Sequence, residues 1–135
     1  MSDAVDLAGI AQRHGRYPLE AYAVVAEGLR FAMESSGKAQ AKGEDRHLTA
    51  QELVQGVLGL TTARYGMLAT RILARWNLHS SSDIGAVTYH LIEEGVLGKN
   101  QRDDRTDFDH GPAFAVEVEI RNRSLLLAPR QGSSV

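Results

Sequence analysis

The chain contains no cysteine, which excludes disulfides, thiolate metal sites and cysteine nucleophiles together. It also lacks an apolar run near the roughly 18 residues that a membrane-spanning helix needs. The first residues, Ser2-Asp3-Ala4-Val5-Asp6, are acidic where a secretory signal would be basic. These absences predict a cytoplasmic protein with no membrane segment.

Neither sign of charge is in large excess, since 15 basic and 17 acidic residues give a formal net charge of −2. Such a balance offers no general attraction to phosphate backbones or anionic lipids. A chain of 135 residues is long enough to bury its own core. We expect a single domain over 1–128 and a flexible tail over 129–135.

Motifs for catalysis and for cofactor binding are missing as well. The chain has no Gly-x-Ser-x-Gly elbow, phosphate-binding loop or dinucleotide-binding fingerprint. Glu93 and Glu94 are adjacent, so on a helix their side chains point about 100° apart and cannot act on one substrate. We therefore predict a protein that is not an enzyme and that uses no cofactor.

The five histidines are scattered along the chain, and no two of them have His-x-x-x-His spacing. Imidazole would be the main zinc ligand in a protein without cysteine. His79 and His90 are eleven residues apart, but a serine turn lies between them. The acidic residues before Gly111 lack the spacing of a calcium-binding loop. We predict structural roles for the histidines and no metal site.

The first half of the chain has the apolar periodicity of helices. Segment 3–14 predicts a short helix that stops at Gly15. A longer amphipathic helix is expected over 18–35, where Gly28 marks a close contact with another helix. Residues 37–47 lack both periodicity and large apolar groups and predict an exposed loop.

A capping box at Thr49 and Glu52 predicts the start of the next helix. Tyr65-Gly66 ends this helix or bends it into a following one. The side chains expected to face inward along that following helix are Leu68, Ile72, Leu73 and Trp76.

Residues 80–83 predict one more helix start, and Gly95 supplies the stop. The period then changes, because apolar and other residues alternate over 114–120 as in a half-buried strand. Residues 96–97 or a second apolar run over 125–128 are candidates to pair with that strand.

The order helix, turn, helix and strand over 67–98 is typical of a winged helix. We therefore predict a mainly α (α+β) domain of four to five helices. Its C-terminal half is expected to be winged-helix-like, with a small antiparallel strand pair. A half-buried strand leaves an edge that a second copy could cover, so a homodimer is a further expectation.

Part of the chain, roughly residues 17–110, resembles an uncharacterised protein family restricted to planctomycetes and verrucomicrobia. The segments that carry the resemblance are Tyr17 to Tyr22, Arg46 to Leu53, Tyr65-Gly66, Arg75 to Gly85, Leu91 to Lys99 and Asp107-Phe108. The resemblance implies a bacterial origin and a single domain. It implies no activity and no functional residue.

Charge argues against nucleic-acid binding by this architecture. A recognition helix needs donors for bases and cations for phosphates. Segment 82–94 has no lysine or arginine and carries three acidic residues, and the predicted wing over 98–113 has three basic residues against four acidic ones. Both surfaces that would face DNA would repel it.

The remaining interpretation is a non-enzymatic protein-interaction module with an unknown protein partner. Its expected partner surface is an arginine face, which forms if the helix over 50–76 is roughly continuous, together with basic residues of the 98–113 loop. These residues are Arg64, Arg71, Arg75, Lys99, Arg102 and Arg105.

Two alternatives stay open. The first is a nucleic-acid-binding regulator that places the same arginines on phosphates. The second is a small-molecule-binding domain with a pocket between the helices over 18–35 and 50–76, beside Trp76.

Overall fold

A computed structural model describes residues 6–38, 48–98 and 105–127. Within these ranges all regular secondary structure is helical. The described α-helices are α1 (Leu7–His14), α2 (Leu19–Ser35), α3 (Ala50–Tyr65), α4 (Ala69–Arg75), α5 (Ser81–Glu93) and α6 (Phe114–Leu127), and the 3-10 turns are Gly66–Leu68 and Arg105–Phe108. Among the described residues, no helix combines the length and apolar character that crossing a membrane requires.

The predicted strand pair is wrong, because residues 114–127 form α6. Phe114 and Val118 are one helical turn apart and buried, whereas Val116 and Ile120 are one turn apart and exposed. Four apolar residues at alternate positions therefore divide into two pairs on opposite sides of a helix. Apolar residues at every second position over seven residues include pairs four residues apart, which is also the spacing of one helical turn. The alternating pattern therefore does not distinguish a strand from this helix.

The winged-helix-like expectation is also wrong, since the described residues contain no sheet. α4 and α5 do follow one another across a short turn, where Asn77 has a positive φ of 65°. The amides of Val96 and Leu97, expected in a strand, both donate to the carbonyl of Leu91, at 2.9 and 3.3 Å. They close the end of α5 instead of pairing with another strand.

The centre of the molecule is the contact between α2 and α3. A Cβ atom on Gly28 would lie 2.5 Å from Cγ2 of Val57, and one on Gly56 would lie 2.6 Å from the carbonyl oxygen of Gly28. The two backbones approach so closely that only hydrogen fits at these positions. The close helix contact predicted at Gly28 is confirmed.

The local signals for helix ends are confirmed too. Thr49 Oγ1 accepts from the amide of Glu52 at 3.1 Å, and the Glu52 carboxylate accepts from the amide of Thr49 at 2.8 Å. Gly15 and Gly95 follow α1 and α5 with φ of 70° and 79°. The tail predicted over 129–135 and most of the loop predicted over 37–47 lie outside the described residues.

The segment 50–76 is interrupted at Gly66, which has φ 57° and ψ −132°. α3 ends there, and a 3-10 turn separates it from α4. Leu68, expected to face inward, is more than half exposed on this turn. Leu73 is buried as expected, and Trp76 is partly buried, with its ring edge-on to Tyr65 at 6.2 Å.

α6 packs along α3 and closes that side of the core. Phe114 and Val118 enter the core, and the guanidinium of Arg121 donates to the backbone carbonyl of Gln55 on α3 at 3.2 Å. The amide side chain of Asn122 donates to the carbonyl of Val118 at 2.9 Å. The Arg121 hydrogen bond joins α6 to α3, and α6 also contacts the 3-10 turn at 66–68.

Candidate functional site

The predicted arginine face requires a continuous helix over 50–76, and this segment is interrupted at Gly66. Arg64, at the end of α3, forms two hydrogen bonds with the carboxylate of Glu27 on α2, at 3.0 and 3.1 Å. This bidentate contact lowers the pKa of Glu27 below its usual range. Arg64 is thus engaged within the domain.

Arg71 and Arg75 remain as exposed cations on α4. Within the described residues, neither forms an ion pair. Of the other predicted partner residues, Lys99 and Arg102 lie outside the described residues, as does the side chain of Arg105.

A surface of large apolar side chains lies next to these two arginines. Met67 and Leu68 on the 3-10 turn are 63% and 57% exposed, and Leu125 and Leu126 on α6 are 61% and 84% exposed. The turn and α6 are in contact, and a Cβ on Gly66 would lie 3.7 Å from the side-chain oxygen of Asn122. Leu125 and Leu126 are one helical turn beyond Asn122. We call these four residues the apolar end.

The two arginines on α4 lie next to the apolar end. Leu68 immediately precedes α4, and Arg71 and Arg75 follow it by three and seven residues. Residues at this spacing lie on one side of a helix. The arginines therefore line one border of the apolar end.

A polar cluster lies where α1, α2 and α5 meet. The imidazole rings of His14 and His90 stack there with centroids 3.9 Å apart and planes 12° from parallel. His14 is the last residue of α1, and His90 lies in the last turn of α5. Both side chains are partly buried.

Each of these imidazoles has an oxygen partner at one nitrogen. The hydroxyl of the buried Tyr22 lies 2.8 Å from Nδ1 of His90. The Glu94 carboxylate lies 3.1 Å from Nε2 of His14 and also accepts from Arg13 at 2.6 Å. The hydrogen bond from Arg13 lowers the pKa of Glu94, and burial raises the pKa of the Tyr22 phenol.

Glu93 adds a second carboxylate to this cluster. His14, His90 and Glu93 each offer one ligand atom, and these three atoms lie within 4.8 Å of one another. We call these three residues the His-His-Glu cluster. Imidazole nitrogen and carboxylate oxygen are the donors that zinc and related ions take in proteins.

Tyr17 holds the neighbouring loop in place. Its hydroxyl donates to Asp83 on α5 at 2.7 Å, and the second carboxylate oxygen of Asp83 accepts from the amide of His79 at 2.8 Å. Burial and the Asp83 carboxylate raise the pKa of Tyr17 well above its usual range. The ring of Tyr17 also packs edge-on against Tyr22, which bonds His90, at 6.4 Å.

A cavity of about 390 Å³ lies near the beginning of α3, where the 105–112 segment and α6 face it. Gln51 and Gln55 line one side, and Asp107, Phe108 and His110 line another. The pocket expected beside Trp76 would lie between α2 and α3, so this cavity is in a different place. Those two helices are in direct contact through Gly28 and Gly56.

Comparisons with protein-family models, curated proteins and solved structures find no match. The resemblance to an uncharacterised bacterial family therefore stays an expectation. The candidate sites are the apolar end with its arginines and the His-His-Glu cluster.

Sequence reasoning missed both sites for different reasons. His14 and His90 are 76 positions apart in the sequence and meet only because α1 packs on α5. The local signal was the three-residue spacing of His90 and Glu93 on a predicted helix. The sequence pattern hides the apolar end, because it predicts a strand that contains Leu125 and Leu126 and places Leu68 in the core.

Proposed function

We propose that this protein is a non-enzymatic interaction module that binds an amphipathic segment of a partner protein at the apolar end. The observation that carries this proposal is the exposure of Met67, Leu68, Leu125 and Leu126 on two adjoining elements. Single exposed apolar residues are ordinary, but contiguous ones mark interaction surfaces in soluble domains. Burying large apolar side chains is also the main source of affinity between proteins.

The two arginines indicate the chemistry of the partner. Arg71 and Arg75 border the apolar end and carry charge that the described residues leave unpaired. A partner segment with acidic groups beside an apolar stripe would satisfy both features at once. A helix laid in this position would present its apolar residues at i, i+3 or i+4, and i+7.

The same arginines would serve phosphates in the nucleic-acid alternative. Two cations on a short helix are few for that function, because affinity for nucleic acids comes from many phosphate contacts. The apolar end would have no part in it. The protein-binding proposal is better supported because it uses both features.

The test measures binding of fluorescent helix-forming peptides by anisotropy. Two peptides share one apolar stripe and differ only in their flanking residues, which are glutamate in the first and lysine in the second. We expect the glutamate peptide to bind at least about tenfold more tightly, because it alone complements Arg71 and Arg75. The double variant Arg71→Glu, Arg75→Glu should reverse the preference.

The double variant Leu125→Ser, Leu126→Ser should abolish binding of both peptides. Leu19→Ser is the matched control, because Leu19 is also an exposed leucine but lies at the start of α2. Equal binding by the leucine double variant and the parent would contradict the proposal. Tight, salt-sensitive binding of a DNA duplex with no peptide binding would favour the nucleic-acid alternative.

Sedimentation of the unliganded protein tests the predicted homodimer. A dimer that the leucine double variant dissociates would show that a second copy covers the apolar end. In that case the partner would be this chain itself, and the proposal of a different partner protein would be wrong.

A further inference from the structure

We propose that the His-His-Glu cluster binds a divalent transition-metal ion of the zinc class. The inference concerns residues of α1 and α5, which are not part of the apolar end, and it does not depend on the proposed function. It replaces the sequence-based expectation that all five histidines are structural.

The first argument is the donor set. His14, His90 and Glu93 supply two nitrogens and one oxygen, with one ligand atom from each within 4.8 Å of the other two. Bonds to zinc are about 2.0–2.2 Å long, so the donors must move closer together by about 1 Å. Rotation of the exposed Glu93 side chain and opening of the imidazole stack would bring them closer.

The second argument is the set of partners around these ligands. A histidine that binds a metal normally donates its other ring N–H to an oxygen, which fixes the orientation of the ring. Tyr22 Oη is placed to accept from Nδ1 of His90, and Glu94 to accept from Nε2 of His14. Tyr22 and Glu94 are thus the groups that would orient the two imidazoles around an ion. Arg13 in turn holds Glu94.

The third argument is electrostatic. His14 is the last residue of α1, while His90 and Glu93 lie in the last turn of α5. The C-terminal ends of both helices therefore meet at the cluster. Such ends carry partial negative charge, which favours a bound cation.

The donor types also predict selectivity. Mg²⁺ and Ca²⁺ prefer six or more oxygen ligands, which the cluster does not offer. Zn²⁺, Co²⁺ and Ni²⁺ accept mixed imidazole and carboxylate donors. A bound ion would connect α1 directly to α5, which the hydrogen bonds of Arg13 and His14 to Glu94 already join.

The experiment uses the full chain without a histidine tag, after removal of metal by a chelator. Calorimetric titration with Zn²⁺ at pH 7.5 should show one ion per chain, and Mg²⁺ should show no binding. Titration with Co²⁺ should give visible absorption bands that report its coordination. Zn²⁺ at a hundredfold excess over its Kd should raise the Tm by about 5 °C or more.

Glu93→Gln is the decisive variant, because Glu93 is exposed and its replacement leaves the core intact. We expect it to weaken Zn²⁺ binding by about tenfold or more while the Tm of the metal-free protein stays unchanged. His14→Gln should weaken binding at least as much and change the Co²⁺ spectrum. His79→Gln is the matched control, since His79 is an exposed histidine that bonds Asn77.

Two results would overturn the proposal. One is a parent protein that gives neither a heat of binding with Zn²⁺ nor visible absorption bands with Co²⁺. The other is binding that Glu93→Gln and His14→Gln leave unchanged, which would place the ion elsewhere. If His14→Gln fails to fold by circular dichroism, Glu93→Gln alone decides the question.

Discussion

The α2–α3 contact and the apolar end are both rich in apolar residues, yet one is closed and the other is open. At the contact, Gly28 and Gly56 let the two backbones meet, and Val57 and Leu58 are fully buried. At the apolar end, leucines of similar hydrophobicity stay largely exposed. Apolar content alone therefore does not decide what is core. The difference comes from whether a neighbouring backbone can approach.

The largest expected effect comes from replacing one leucine in each region by alanine. Leu58→Ala should lower the free energy of unfolding by roughly 2–5 kcal/mol, because it leaves a cavity in a packed core. Leu126→Ala should change it by less than about 0.5 kcal/mol, because Leu126 is 84% exposed. Urea denaturation of both variants gives the two values. Equal losses would mean that the apolar end is part of the core.

A second test adds volume at the closed contact. Gly28→Val should destabilise the protein by about 1–3 kcal/mol, since even a Cβ at this position would lie 2.5 Å from Val57. The matched control is Gly98→Val, because a Cβ on Gly98 meets nothing within 4 Å. Thermal melting of the pair should show a clear loss of Tm for the first variant only. A normal Tm for Gly28→Val would contradict the close approach of α2 and α3.

The smallest expected effect concerns the start of α3. The Glu52 carboxylate accepts hydrogen bonds from Lys38 and Thr49, and these bonds lower the pKa of Glu52. A carboxyl with a lowered pKa stabilises the folded state above its ordinary pKa, and this contribution is lost as pH falls through the lowered value. Glu52→Gln keeps the capping geometry but removes the charge, so it should cost about 0.5 kcal/mol near pH 7.

Denaturation of the parent and of Glu52→Gln between pH 7 and pH 3 measures this contribution. The difference between the two proteins should shrink as the pH falls and vanish in acid. Glu20→Gln serves as the control, because Glu20 lies in the first turn of α2 but has no side-chain cap there. A difference that stays constant with pH would show that the Glu52 charge has no role.

Local signals were enough to predict most helix boundaries. The capping box at Thr49 and Glu52 and the stops at Gly15 and Gly95 depend on neighbouring residues alone, and all of them are confirmed. The close contact at Gly28 was predicted because a glycine within a helix costs stability unless it permits packing. These inferences need no knowledge of the tertiary fold.

The errors came from features that local reasoning cannot resolve. The alternating pattern at 114–120 fits a strand and also fits a helix that buries Phe114 and Val118, and contact with α3 decides between them. The meeting of His14 and His90 depends on how α1 packs against α5. The pairing of Arg64 with Glu27 likewise depends on how α2 lies beside α3.

The backbone conformation of Gly66 interrupts the helical repeat of segment 50–76. The sequence pattern predicts that Leu68 faces inward along the helix that follows Tyr65-Gly66. With φ 57° and ψ −132°, a conformation suited to glycine, the chain turns and the phase is reset. Leu68, which the sequence pattern places inside, thus lies with Met67 on the surface that we propose a partner recognises.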